Sequence, residues 1–176
     1  AGERALLQGA AIVGRTFDDA SVRALGAPVE DELLVRLWRR GLISVGAAGG
    51  ELSFRHAMVR DAAYASVPIG DRAAKHELLA RWLVEQGEAE RLIQIAHHFE
   101  RAVSLGAELG HADPELLAVA GLHLIRAAQA ALERDEMGEA ERWFDRAREL
   151  GLVRTEDTVP VALQHAAALL ALRRLA

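Results

Sequence analysis

Ser53-Phe54-Arg55-His56-Ala57-Met58-Val59-Arg60-Asp61-Ala62-Ala63-Tyr64 is the stretch from which the rest of the chain can be read. Leu52 and Phe54 alternate with Glu51 and Ser53, the two-residue period of a half-buried strand. From Met58 onward the apolar residues recur at helical spacing: Met58, Ala62 and Ala65 on one side, Val59, Ala63 and Val67 close by. His56 therefore falls where a strand gives way to a helix, with Arg55 just before it. A cation and an imidazole beside the free N–H groups of a helix N-terminus suit a phosphate. The alternative is a histidine that only caps or packs.

Outward from that joint, the preceding residues give a hairpin and three helices. Leu42-Ile43-Ser44-Val45 and Glu51-Leu52-Ser53-Phe54 flank a glycine-rich turn, Gly46 to Gly50. Before them, Glu3 to Val13 reads as a helix, and Thr16 with Asp18 offers the cap of a short second one through Leu25. Pro28 to Arg40 reads as a third, with Glu30, Asp31 and Glu32 at its start, Arg36, Arg39 and Arg40 at its end, and Gly41 as stop. Three helices followed by a hairpin is the order of a winged helix.

Beyond the joint the chain reads as helical to its end: Asp71 to Gln86, Glu88 to Val103, Asp113 to about Arg134, Gly138 to Leu150 and Thr155 to Leu172. Antiparallel pairs of this length suggest a solenoid. Ala128 and Ala131, then Ala140, Phe144 and Ala147, match the small-residue and A-x3-F pattern of a tetratricopeptide repeat. The expected fold is thus mainly α: a winged-helix domain over residues 1–68, then a tetratricopeptide-like helical region over 69–176.

Composition sets limits. The 176 residues are 51% hydrophobic, mostly alanine and leucine, and 5% aromatic, which favours helix. A net charge of -5 argues against a nucleic-acid glove, and the absence of cysteine excludes disulfides and thiolate chemistry. Charges interrupt every helix candidate, so no membrane span is expected and the expected location is the cytoplasm. The chain starts at Ala1 and its last helical pattern runs to Ala176 without a stop signal, so it is expected to be a piece of a longer protein.

The stretch Phe54 to Tyr64 resembles a segment of bacterial STAND-class signalling NTPases, among them large LuxR-type regulators and cyclase-linked ATPases with tetratricopeptide tails. The Leu6-to-Phe17 start, the Ala96-to-Ala102 run and the Arg134-to-Leu150 hairpin resemble segments of the same family. The resemblance implies an upstream ATPase domain, ADP or ATP bound by that domain, and repeats that receive a protein or small-molecule inducer. Relatives of this class carry a Met-His-Asp or Leu-His-Asp triplet whose histidine contacts the β-phosphate of ADP. His56 matches that histidine. Arg55 and Ala57 depart from its neighbours, so the carry-over rests on His56, with Arg55 as a second phosphate-facing group.

Other chemistry is weak. No Walker loop surrounds the single lysine, Lys75, so no cofactor is expected in the chain itself, and no catalytic constellation appears. His97-His98, with His76 or His123, invites a metal reading. Adjacent helical positions point about 100° apart, however, which favours packing over a shared ion. Arg36, Arg39 and Arg40 could face DNA, but Glu30, Asp31 and Glu32 repel phosphate at the opposite end of the same helix. The expectation is a non-catalytic regulatory relay. Its rivals are a DNA-binding winged helix with a helical dimerisation tail, and a plain protein-binding scaffold.

Overall fold

The computed structural model describes residues 2–46, 50–87 and 91–151. The expected helix from Thr155 to Leu172, and the tip of the glycine-rich turn, lie outside the described residues. Within them the chain is mainly helical with one small sheet. The first helix, α1 (Gly2–Val13), buries Leu6, Ala10, Ala11 and Ile12. A two-residue strand, β1 (Thr16–Phe17), leads to α2 (Asp19–Ala24), capped by Asp18, whose carboxylate accepts from Ser21 N at 2.8 Å. Next come α3 (Asp31–Arg39), β2 (Ile43–Val45) and β3 (Leu52–Phe54).

The antiparallel sheet has the order β1-β3-β2, so β3 lies in its centre. The β1 strand was not expected, because two residues carry no period. It forms because Phe54 N donates to the Arg15 carbonyl at 3.0 Å and the Phe17 ring packs on Phe54, with centroids 5.3 Å apart. Helix α3 starts three residues later than Pro28 suggests. Arg23 donates to the carbonyl of buried Val29 and Glu30 is extended, so the first turn closes from Leu33 N to Glu30 O at 2.9 Å. At its end Gly41 takes a φ of 69°, a left-handed conformation that glycine adopts without cost.

The remaining helices are α4 (Ala57–Ala65), α5 (Ile69–Glu85), α6 (Leu92–Glu108), α7 (Pro114–Glu133) and α8 (Met137–Glu149). Helix α6 runs past the expected end at Val103 because Leu105 continues its buried face. Helix α7 is long and apolar enough, by length and composition, to cross a bilayer, contrary to the expectation that none would be. Here it packs on α6 and on α8, burying Ala120, Leu124, Ala127, Ala128 and Ala131. Ala140 and Ala147 of α8 are buried as well, while Phe144 is half-buried.

Two cores matter for function. One lies inside the first module: Leu6, Phe17, Val22, Leu37, Ile43 and Phe54, among others, with Val59 and Ala63 of α4 packed against it. The second crosses the expected boundary at residue 68. Ile12 and Leu25 from the first module share it with Leu79, Leu83, Ile95 and Phe99 of α5 and α6. A polar contact stitches the same seam: Lys75 Nζ donates to the Leu25 carbonyl at 3.0 Å.

Candidate functional site

Two groups of histidines come into view, one at the surface and one in the seam. His56 is the N-cap of α4. Its backbone is extended, with φ -133° and ψ 131°, as a residue leaving a strand requires. Arg55 N donates to the Leu42 carbonyl at 3.1 Å, which continues the sheet ladder one step and fixes where the chain turns. The His56 side chain makes no capping bond and is exposed, as is that of Arg55, whose guanidinium lies over Gly41. The first amides of α4 are open beside them; Val59 N is the first to turn back, onto the His56 carbonyl at 3.1 Å. A phosphate could meet an imidazole, a guanidinium and helix N–H groups at this one place.

The surroundings of His56 are apolar and uncovered. Helix α4 buries none of its residues, and Met58 is 80% exposed. A groove of about 590 Å³ runs between α1 and α4, lined by Leu7, Leu42, Met58 and Ala62 among others. Of the arginines expected as DNA contacts, Arg36 and Arg40 are turned back on α1, where Glu3 binds both at 3.3 and 2.6 Å.

Of the adjacent pair, His97 is exposed and His98 buried, with their rings edge to face and centroids 5.3 Å apart. His98 Nδ1 lies 2.9 Å from His76 Nδ1, and His76 Nε2 lies 3.0 Å from the Tyr64 hydroxyl at the end of α4. Arg101 Nη2 donates to that hydroxyl at 3.3 Å, and the Arg72 guanidinium sits 5.0 Å from the centre of the Tyr64 ring. Burial, with the neighbouring His98 second, holds the His76 pKa down to about 2; burial and His97 hold His98 down to about 3. Both rings are neutral at physiological pH. His123 is elsewhere, stacked on Phe99 with centroids 5.0 Å apart. Among the described residues no group of three or more histidines and acids is arranged to hold a metal.

Compared with family models, curated proteins and solved structures, the chain finds no match in any of the three.

The Tyr64–His76–His98 chain was not legible as a unit. His76 sits on the face of α5 that also carries Leu79 and Leu83, and His98 follows Ile95 on α6, so each reads as an isolated core position. The one available signal is a histidine three residues before a buried leucine or after a buried isoleucine, and it does not name the partner.

Proposed function

We propose that this chain is a non-catalytic regulatory relay: a winged-helix module joined to the start of a tetratricopeptide-like arm in a STAND-type signalling ATPase. The observation that carries the reading is His56, an exposed imidazole without a hydrogen-bond partner among the described residues, at a helix N-terminus, next to an equally exposed arginine. In the resting protein His56 and Arg55 face the β-phosphate of ADP held by an ATPase domain of the same protein. The uncovered outer face of α4, with Met58 beside His56, supports this, since it offers an apolar surface against which such a domain can rest. Exchange of ADP for ATP moves that contact, and the helical arm, which receives a protein or small-molecule inducer, biases the two states.

The shared core across residue 68 refines the mechanism: the winged module does not swing alone but takes α5 and α6 with it. In the complete protein, His56→Ala should speed ADP release and raise basal output, whereas an unchanged ADP off-rate would remove the sensor role. The DNA-binding alternative loses support from Glu3, which engages two of the three arginines it needs. Micromolar DNA binding that weakens steeply with salt would restore it.

A further inference from the structure

Three arginines, one each from α4, α5 and α6, meet around Tyr64. Arg72 lies against the face of the ring, its guanidinium carbon 5.0 Å from the centre. Arg101 Nη2 donates to the phenolic oxygen at 3.3 Å. Arg60 stands one helical turn before Tyr64 on α4, and so on the same side of that helix. Its charge and that of Arg101 both act on His76 and on His97, whose ring centroids lie 6.5 Å apart.

All three side chains are half-buried. The Nε atoms of Arg60 and Arg72 are enclosed by the protein and find no hydrogen-bond partner. Among the described residues neither Arg72 nor Arg101 forms an ion pair, and Arg60 has only the neighbouring Asp61, exposed and 3.5 Å away. Glu100, the buried acid next to Arg101 in the chain, is committed elsewhere: Arg146 Nε of α8 donates to it at 2.7 Å and Ser104 at 3.0 Å. A guanidinium does not shed its proton at any ordinary pH, so burial cannot neutralise these groups as it does the histidines beside them. The face and hydroxyl of a tyrosine offer partial charges only. Three like charges half withdrawn from water repel one another, and an anion is what relieves them.

We propose that Arg60, Arg72 and Arg101 form a binding site for the phosphate group of a small molecule, at the junction of α4, α5 and α6. A phosphate brings up to two negative charges and oxygens enough for several N–H donors, whereas a single guanidinium already satisfies a carboxylate. The site uses neither His56 nor Arg55 and is independent of the ADP reading. Because α4 belongs to the first module, a ligand held here bridges the seam.

The chain contains one tyrosine, so 13C placed at the tyrosine Cζ gives a single NMR resonance at the site. Titrated with inorganic phosphate at neutral pH and constant ionic strength, that resonance should shift saturably, and acetate at equal concentration should move it far less. Arg60→Gln and Arg72→Gln should each weaken phosphate binding about tenfold, the loss of one charge-assisted bond. Neither residue hydrogen-bonds to the Tyr64–His76–His98 chain, so both variants should fold. Arg81→Gln, exposed on α5 and paired with Glu77, should change nothing. The His97 ring gives a second readout. Burial holds its pKa down, Glu100 opposes that, and Arg101 and Arg60 add to the lowering. Bound phosphate offsets the two cations, while His76 and His98 stay neutral, so His97 should titrate at higher pH in its presence. No saturable shift up to about 20 mM phosphate, an equal response to acetate, affinity undiminished in both arginine variants, or an unmoved His97 titration would each overturn the proposal.

Discussion

His76 is closed off on both ring nitrogens, by Tyr64 on one side and His98 on the other. A buried imidazole without water needs both partners, so the chain is sensitive at its first link. Tyr64→Phe keeps the ring under Arg72 but removes the hydroxyl that serves both Arg101 and His76. Stranding one buried ring nitrogen costs about 1–3 kcal/mol. Urea unfolding should show that loss with an unchanged m-value; a neutral result would mean that water or another group replaces the hydroxyl. His56 is the opposite kind of residue. Exposed and without a capping bond, it contributes little to the fold, so His56→Ala should leave the urea midpoint where it is.

Among the elements, the turn between α7 and α8 depends on a single unusual backbone. Asp135 has a φ of 59°, and the turn closes when Glu136 N donates to the Ala131 carbonyl at 2.9 Å. Aspartate tolerates this left-handed region and a β-branched residue does not, so Asp135→Val should cost about 1–3 kcal/mol. Thermal melting followed by far-UV circular dichroism reads the difference, and Asp135→Gly should restore or exceed the original midpoint. Close packing of α7 on its neighbours is equally specific. Ala128 is fully buried, so Ala128→Leu should overpack the interface, costing about 1–3 kcal/mol.

Elements of this kind were the most legible part of the sequence. The caps Asp18 and Asp113, the stop at Gly41 and the alternation of Leu52 with Phe54 are local signals, and each lies where an element begins, ends or pairs. The place of His56 between strand and helix was legible for the same reason, because a joint between two periodicities is a local feature. The β1 strand, the late start of α3 and the imidazole chain were not legible. Each is decided by a partner far along the chain: Phe54 for Phe17, Arg23 for Val29, and His98 for His76. Periodicity names a face; it does not name what lies opposite.

At the scale of the whole molecule, the core that joins Ile12 and Leu25 to Leu79 and Phe99 makes the first module and the α5–α6 pair one cooperative unit. Leu79 is fully buried there, and Leu79→Ala should cost about 2–5 kcal/mol. The loss should appear as one shifted transition reported equally by hydrogen exchange in α1 and in α6. Two separated transitions would divide the chain at residue 68.

The two neutral imidazoles in the seam also set an acid limit on that unit. Unfolded, each takes up a proton near pH 6.5; folded, His76 stays neutral to about 2 and His98 to about 3. Below pH 6.5 the unfolded chain thus binds more protons than the folded one, and stability falls as pH falls. The slope is up to about 1.4 kcal/mol per pH unit for each imidazole. Urea unfolding measured from pH 7.5 to 4 should reveal it, and a slope absent in that range would mean that the rings are charged within the fold.

Lys75 is the single lysine of these 176 residues, and the hydrogen bond that its amine donates to the Leu25 carbonyl straddles the seam between the two modules. An amine attacks an acylating reagent through its lone pair and only where it can reach the reagent, so Lys75 is a chemical reporter at the joint. The rate at which Lys75 is modified, compared with a free lysine in the same buffer, would report how often that contact opens.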